Sequence, residues 1–315
     1  MYKKVLEIAN QFTKKPKHVW ISDSIIDERA SFIKGELKDD NELMGRPNIP
    51  KPTHEPTLEE SDIAQVVLYE LMASSVNYKY WYGKHDIRPN DSCANKMYQV
   101  LDDSFSALSI PETISSNYCT GLVDVFTANL ALERFPMMKD RSSNLAELKR
   151  DILGRGDPKY PPNASFFANQ MAKDILDGSE RVDEWLKTLI TSFPGFGQDI
   201  FLKRAFLFFM MLNRRMGWFS NDIHKLPIPA DYQIPKILRG WGCLKYGDEL
   251  CGMIDNSELI PQGSLMECEI RASSIIACQR LSERASVTMS DVDNYIWINR
   301  KSCSDPFHLT ITTDY

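Results

Sequence analysis

The sequence predicts an all-α protein. Apolar residues recur at helical spacing through most of the 315 residues, clusters of Pro and Gly punctuate those segments, and strand-like alternation is scarce outside the tail. A hydrophobic fraction of 43% provides for a sizeable core. Residues 1–45 read as helical, with Val5, Ile8, Ala9 and Phe12 on one face. Five residues, Gly45, Pro47, Pro50, Pro52 and Pro56, make 45–57 a loop, and His54 lies inside it. A helix follows over 58–76, capped by Thr57 with Glu60 three residues on and striped by Ile63, Val66, Val67 and Leu71. It runs into Asn77-Tyr78-Lys79-Tyr80-Trp81-Tyr82. These aromatics suit either a core or a stacking platform for a flat base.

Residues 92–155 predict further helices, including 143–153. The Pro-rich segment at 157–162 is the candidate boundary between a lobe at 1–157 and a lobe at 158–315 within one compact unit. Two helices follow in 163–192, one burying Phe166, Phe167, Met171, Ile175 and Leu176, the other Val182, Trp185, Leu186, Leu189 and Ile190. Phe193-Pro194-Gly195-Phe196-Gly197 is a glycine turn suited to presenting bare N–H groups to a phosphate. Ile200 to Met211 is apolar enough for a central core helix and carries Lys203 and Arg204. Pro227 and Pro229 end any helix before Asp231, which is placed to cap the next one over 231–239. Such an Asp is either a plain cap or a positioned carboxylate. A helix near 248–253, a turn at 261–264, a long helix containing Glu267 to Arg271, and a helix at 291–297 complete the chain.

The net charge of −6 argues against a general nucleic-acid coater. Residues 203–245, however, hold eight basic side chains against Asp222 and Asp231, which makes either a local basic face or ordinary solvated helices. The seven cysteines are scattered without a C-x-x-C pair, so neither a metal nor another cofactor is implied, and reduced thiols in a cytoplasmic protein fit best. No apolar run is long enough for a membrane span.

The order of glycine turn, helix, Pro-rich loop and Asp231 resembles the helix-hairpin-helix DNA glycosylases. That resemblance implies a two-lobed helical domain, a DNA-gripping hairpin at Gly195, Phe196, Gly197, Lys203 and Arg204, and catalysis by Asp231. A Schiff-base lysine of bifunctional members would fall at Asp199, so the chemistry implied is monofunctional. A longer resemblance, over most of 54–315, is to the queuosine salvage proteins, which hydrolyse the base–sugar bond of a queuosine nucleotide. It is carried by Lys203-Arg204-Ala205, Ala230-Asp231-Tyr232-x-x-Pro235, Leu244-Lys245-Tyr246-x-Asp248-Glu249-Leu250, Pro261-x-Gly263-Ser264, Glu267-x-Glu269-Ile270-Arg271 and Pro306-Phe307-His308. It implies a pocket of His54, Asn77, Tyr80, Trp81, Tyr232, Asp293, Asn294 and Trp297. This chain departs from that family at Asn294 and Ile298, where the family has Tyr and Asp, and at Leu309, where it has Arg.

These departures, with the glycine hairpin, lead to the expectation of a DNA N-glycosylase that flips out a modified base, with a role in antiviral defence as its furthest extension. The partner is then DNA containing a modified base, with no membrane and no obligate protein partner. The alternatives are hydrolysis of a free queuosine 5'-phosphate and a non-enzymatic nucleic-acid binder.

Overall fold

The computed structural model describes residues 1–39, 59–81, 93–109, 111–133, 136–154 and 163–315. The fold is all-α with one two-stranded sheet. Its helices are α1 (Tyr2–Lys14), α2 (Asp23–Asp39), α3 (Glu60–Ser75), α4 (Cys93–Ser106), α5 (Ser116–Leu132), α6 (Pro136–Ser143), α7 (Leu145–Leu153), α8 (Ala164–Leu176), α9 (Val182–Ser192), the single turn α10 (Pro194–Gly197), α11 (Lys203–Met216), α12 (Gln233–Gly240), α13 (Asp248–Asp255), α14 (Leu265–Ala285) and α15 (Met289–Asn299).

Two helices are buried on nearly every side. α3 is buried around its circumference from Ile63 to Ser75 and packs on α8 and α11. α14 lies under α1, α2 and α15. One buried apolar cluster takes in side chains from Val5 to Ile296. Glu269 is one polar group that enters this core fully matched. The Glu269 carboxylate on α14 accepts backbone N–H bonds from Lys17, His18 and Val19 at 2.7–3.2 Å. Those bonds fix the start of β1 (Val19–Ile21), which pairs antiparallel with β2 (Leu244–Tyr246). Unpaired buried N–H groups are costly, so one carboxylate serving three of them offsets its own burial.

Several expectations are corrected. The helix expected over 1–45 is broken by β1, because the chain pairs with a strand more than two hundred residues away that local periodicity cannot reveal. The helix expected at 58 starts at Glu60 with Glu59 as its cap, and Thr57 lies outside the described residues. Phe166 and Leu176, expected in the core, are 48% and 44% exposed. The face of α8 that meets α3 carries Phe167, Ala168 and Met171 instead. The glycine turn at 193–197 is helical and buries Gly195 and Phe196.

Candidate active site

Asp231 is delivered by an extended, buried strap. Leu226, Ile228 and Ala230 are fully buried, while Pro227 and Pro229 preclude helix. The Arg271 Nε donates to the Ala230 carbonyl at 3.1 Å, fixing the peptide just before the carboxylate. Asp231 Oδ1 then accepts the backbone N–H groups of Gln233 (2.8 Å) and Ile234 (3.2 Å) at the start of α12. Asp231 thus caps the start of α12, and both backbone bonds fall on Oδ1 rather than Oδ2. Asp231 is half-buried. Burial raises its pKa, opposed by the Lys203 charge and the two backbone hydrogen bonds.

Lys203 opens α11 and is 2% exposed. Its Nζ donates to Asn77 O (2.6 Å) and Asn77 Oδ1 (2.7 Å). Asn77, expected in the ligand pocket, therefore holds this lysine. Burial pulls the lysine down to about 8, against the pull of Asp231. Beneath it, Asp199 accepts the N–H groups of Phe201 (3.0 Å) and Lys203 (2.9 Å) and a two-pronged contact from Arg271 at 2.8 and 2.6 Å. Arg271 also reaches Glu267 at 3.3 Å and lies between the rings of Phe201 and Tyr315. Sequence reasoning missed the Asp199–Arg271–Glu267 core. Its one local signal is the i,i+4 spacing of Glu267 and Arg271 on a helix otherwise rich in apolar residues.

The third wall is α15. Asp293 Oδ2 accepts from Arg214 at 2.7 Å, while its Oδ1 is buried without a partner. Burial raises the pKa of Asp293, Arg214 opposes, and the Asp231 charge raises it further, so both carboxylates share one electrostatic site. Asn294, 9% exposed, likewise leaves Oδ1 buried and unpartnered. One face of half-buried Trp297 is covered by the Arg300 guanidinium, 3.6 Å from the ring centroid. Trp81 is 3% exposed and packs with Tyr232, Phe307, Leu309 and Tyr315. Tyr232 lies 4.8 Å from Phe307 between centroids, and its hydroxyl accepts the Tyr80 N–H at 3.3 Å. This aromatic group thus braces the site wall. His54 lies outside the described residues. Among the described residues no group of three or more His, Cys, Asp or Glu could hold a metal ion, and no helix is long and apolar enough to cross a membrane.

Of the residues expected to grip DNA, Gly195, Phe196, Lys203 and Arg204 are buried, while Gly197 is exposed. The Gly195 N–H donates to Asp151 Oδ1 at 3.0 Å, and a Cβ there would sit 2.2 Å from Asp151 Oδ2. Arg204 is 1% exposed, donates to the carbonyls of Ser75 and Gly195, and lies 3.5 Å from Asp151. The Phe196 ring is fully buried, and a Cβ on Gly197 would meet the Ile190 carbonyl at 2.6 Å. The glycines permit close approach of the protein's own groups.

A model of the family described as queuosine salvage protein matches residues 57–312. A Mus musculus protein named queuosine 5'-phosphate N-glycosylase/hydrolase is 23% identical over 68% of this chain and 66% of its own length. A Dictyostelium discoideum protein of the same name is 29% identical over 48% of this chain and 53% of its own length. A third of that name, from Sphaerobacter thermophilus, is 24% identical over 99% of this chain and 97% of its own length. The match thus spans two thirds or less of the mouse and Dictyostelium proteins. These relatives are named for a nucleotide, which overturns the expectation of a DNA glycosylase and of a DNA partner, in agreement with the buried hairpin. With the family model matching well over half of its residues, the chain belongs to the queuosine salvage protein family.

Proposed function

We propose that the protein hydrolyses the N-glycosidic bond of a queuosine 5'-phosphate-type nucleotide, releasing the free base and ribose 5-phosphate. The observation that carries this reading is the half-buried Asp231 carboxylate, oriented through Oδ1 by two backbone N–H groups and facing the Lys203 charge. As the base–sugar bond breaks, positive charge develops on the ribose ring. A fixed carboxylate in a poorly solvated site stabilises that charge without reorganising. Oδ2 of Asp231 orients the water that attacks the anomeric carbon. The water's oxygen bonds to that carbon, the bonding pair leaves with the base nitrogen, and the base is released protonated at that nitrogen. Asp293, with one oxygen fixed by Arg214 and the other buried and open, is placed to accept an N–H from the base. Asn294 supplies a second buried acceptor beside it in sequence. The Lys203 charge opposes the effect of burial and favours the ionised form of Asp231.

Mass spectrometry of products from purified protein tests the reading. Queuosine 5'-phosphate should yield free base, and Asp231→Asn should lower kcat by about 10³-fold or more, the scale of losing a charge that stabilises a transition state, while substrate binding persists. Equal turnover by the wild type and Asp231→Asn would refute the assignment.

A further inference from the structure

One cation at the site has no carboxylate of its own. Arg300 opens the short 3-10 turn Arg300–Ser302, which follows α15 and packs against α12, the helix that Asp231 starts. Its guanidinium carbon lies over the Trp297 ring, 3.6 Å from the centroid, and its Nη1 donates to the Trp297 carbonyl at 2.6 Å. Among the described residues, the neighbouring cations are already engaged. Arg214 takes Asp293, Arg271 takes Asp199 and Glu267, and Lys203 takes both oxygens of Asn77. Arg300 shows no such ion pair; burial depresses its pKa, and the Asp231 charge opposes that. A half-desolvated guanidinium without an anion is unfavourable alone and favourable once an anion arrives. Stacking on the indole fixes the plane of the fork, and the single bond to the Trp297 carbonyl leaves the other N–H groups for an oxyanion.

We infer that Arg300 is the phosphate-recognising residue of the Asp231 site and sets its preference for a nucleotide over a nucleoside. This rests on the proposed function for the identity of the ligand. The phosphorus of a nucleoside 5'-phosphate is only a few bonds from the anomeric carbon, so a cation within the field of Asp231 is placed to meet it. Lys203 is the weaker candidate for this role, because its ammonium is buried and committed to both oxygens of Asn77.

The test has two arms, both using the full chain. In the first, ribose 5-phosphate and ribose are titrated calorimetrically into the wild type, Arg300→Gln and Arg300→Lys. Arg300→Gln should weaken ribose 5-phosphate about tenfold or more, as expected for a lost charge-assisted hydrogen bond. Arg300→Lys should recover part of that loss, because it restores charge but not the fork. A wild type that binds ribose 5-phosphate no better than ribose, or an Arg300→Gln protein that binds it as the wild type does, overturns the inference. In the second arm, kcat/KM is measured on queuosine 5'-phosphate and on queuosine. Arg300→Gln should lower the nucleotide value and leave the nucleoside value within about twofold. An equal fall on both substrates with a displaced acid limb of the pH profile would assign Arg300 to Asp231 and overturn the inference. If the wild type turns over neither substrate the proposed function fails, and the titration arm still decides the role of Arg300.

Discussion

Replacing Arg271 by Met removes the cation at the centre of the buried network while keeping much of its volume. In the wild type, Arg271 makes two contacts to Asp199 at 2.8 and 2.6 Å, one to Glu267 at 3.3 Å and one to the Ala230 carbonyl at 3.1 Å. Asp199 and Arg271 are each 3% exposed or less. Removing one member of a buried pair leaves the other charged and unsolvated, which costs about 3–5 kcal/mol. With a urea dependence of about 3 kcal/mol per molar, the midpoint of unfolding should fall by about 1 M or more. The pH dependence gives a second check. Burial pushes Asp199 up, and the Arg271 charge and hydrogen bonds more than offset this, holding it below the ordinary carboxylate value. A depressed folded pKa contributes stability that is present above the unfolded value of about 3.9 and is lost as pH falls through the folded pKa. The gap between the wild type and Arg271→Met should therefore be widest near neutrality and narrow in acid. Adding Asp199→Asn to Arg271→Met should recover part of the loss, because only Glu267 then remains as a buried carboxylate deprived of its cation. Urea titrations monitored by circular dichroism at several pH values measure all of this. An Arg271→Met midpoint within roughly 0.2 M of the wild type would sink the argument that this pair holds the site together.

Two further outcomes follow from the same geometry. The kcat/KM profile should be bell-shaped: activity falls on the acid side as Asp231 protonates above the usual carboxylate range, and on the alkaline side as Lys203 deprotonates near pH 8. Lys203→Met should abolish the alkaline limb and move the acid limb upward, and an unchanged alkaline limb in that variant would assign it to another group. Gly195→Ala should destabilise by about 1–3 kcal/mol, because its Cβ would lie 2.2 Å from Asp151 Oδ2 and 2.5 Å from the Arg204 guanidinium. Thermal unfolding reads the effect, and an unchanged Tm would mean that Asp151 and Arg204 yield freely.

The helical class was legible because helix signals are local. Periodicity, proline punctuation and the Ser264 cap of α14 sit within a few residues of what they determine. The β1–β2 pairing was not legible, since each strand is three residues long and its partner is remote. Asp231 was found for a physical reason: two prolines followed by a capping residue mark a helix start wherever they occur. The charged groups around it were noticed unevenly. Lys203 was noticed for its charge and assigned to DNA, while Arg271 and Arg300 drew no role at all.

That misassignment has a physical cause. A run of basic residues in sequence carries no information about which side of a helix faces water. Residues 203–245 are basic on paper, yet Lys203, Arg204 and Arg215 are buried, facing Asn77, Asp151 and Glu70. Arg214 is committed to Asp293, Lys225 to Asp222 and Arg239 to Asp255. A duplex-binding face needs cations whose counterions are mobile, because their release drives binding. Here most of the counterions are the protein's own carboxylates held at fixed distances, those of Arg204, Arg214 and Arg215 in a desolvated interior. Such an arrangement cannot coat a polyanion, but it can hold one carboxylate at a chosen ionisation state beside one unpaired guanidinium. The difference between a nucleic-acid surface and a small-ligand site therefore lies in where the acids sit, and, Asp222 apart, those acids come from α3, α7, α13 and α15, all outside residues 203–245.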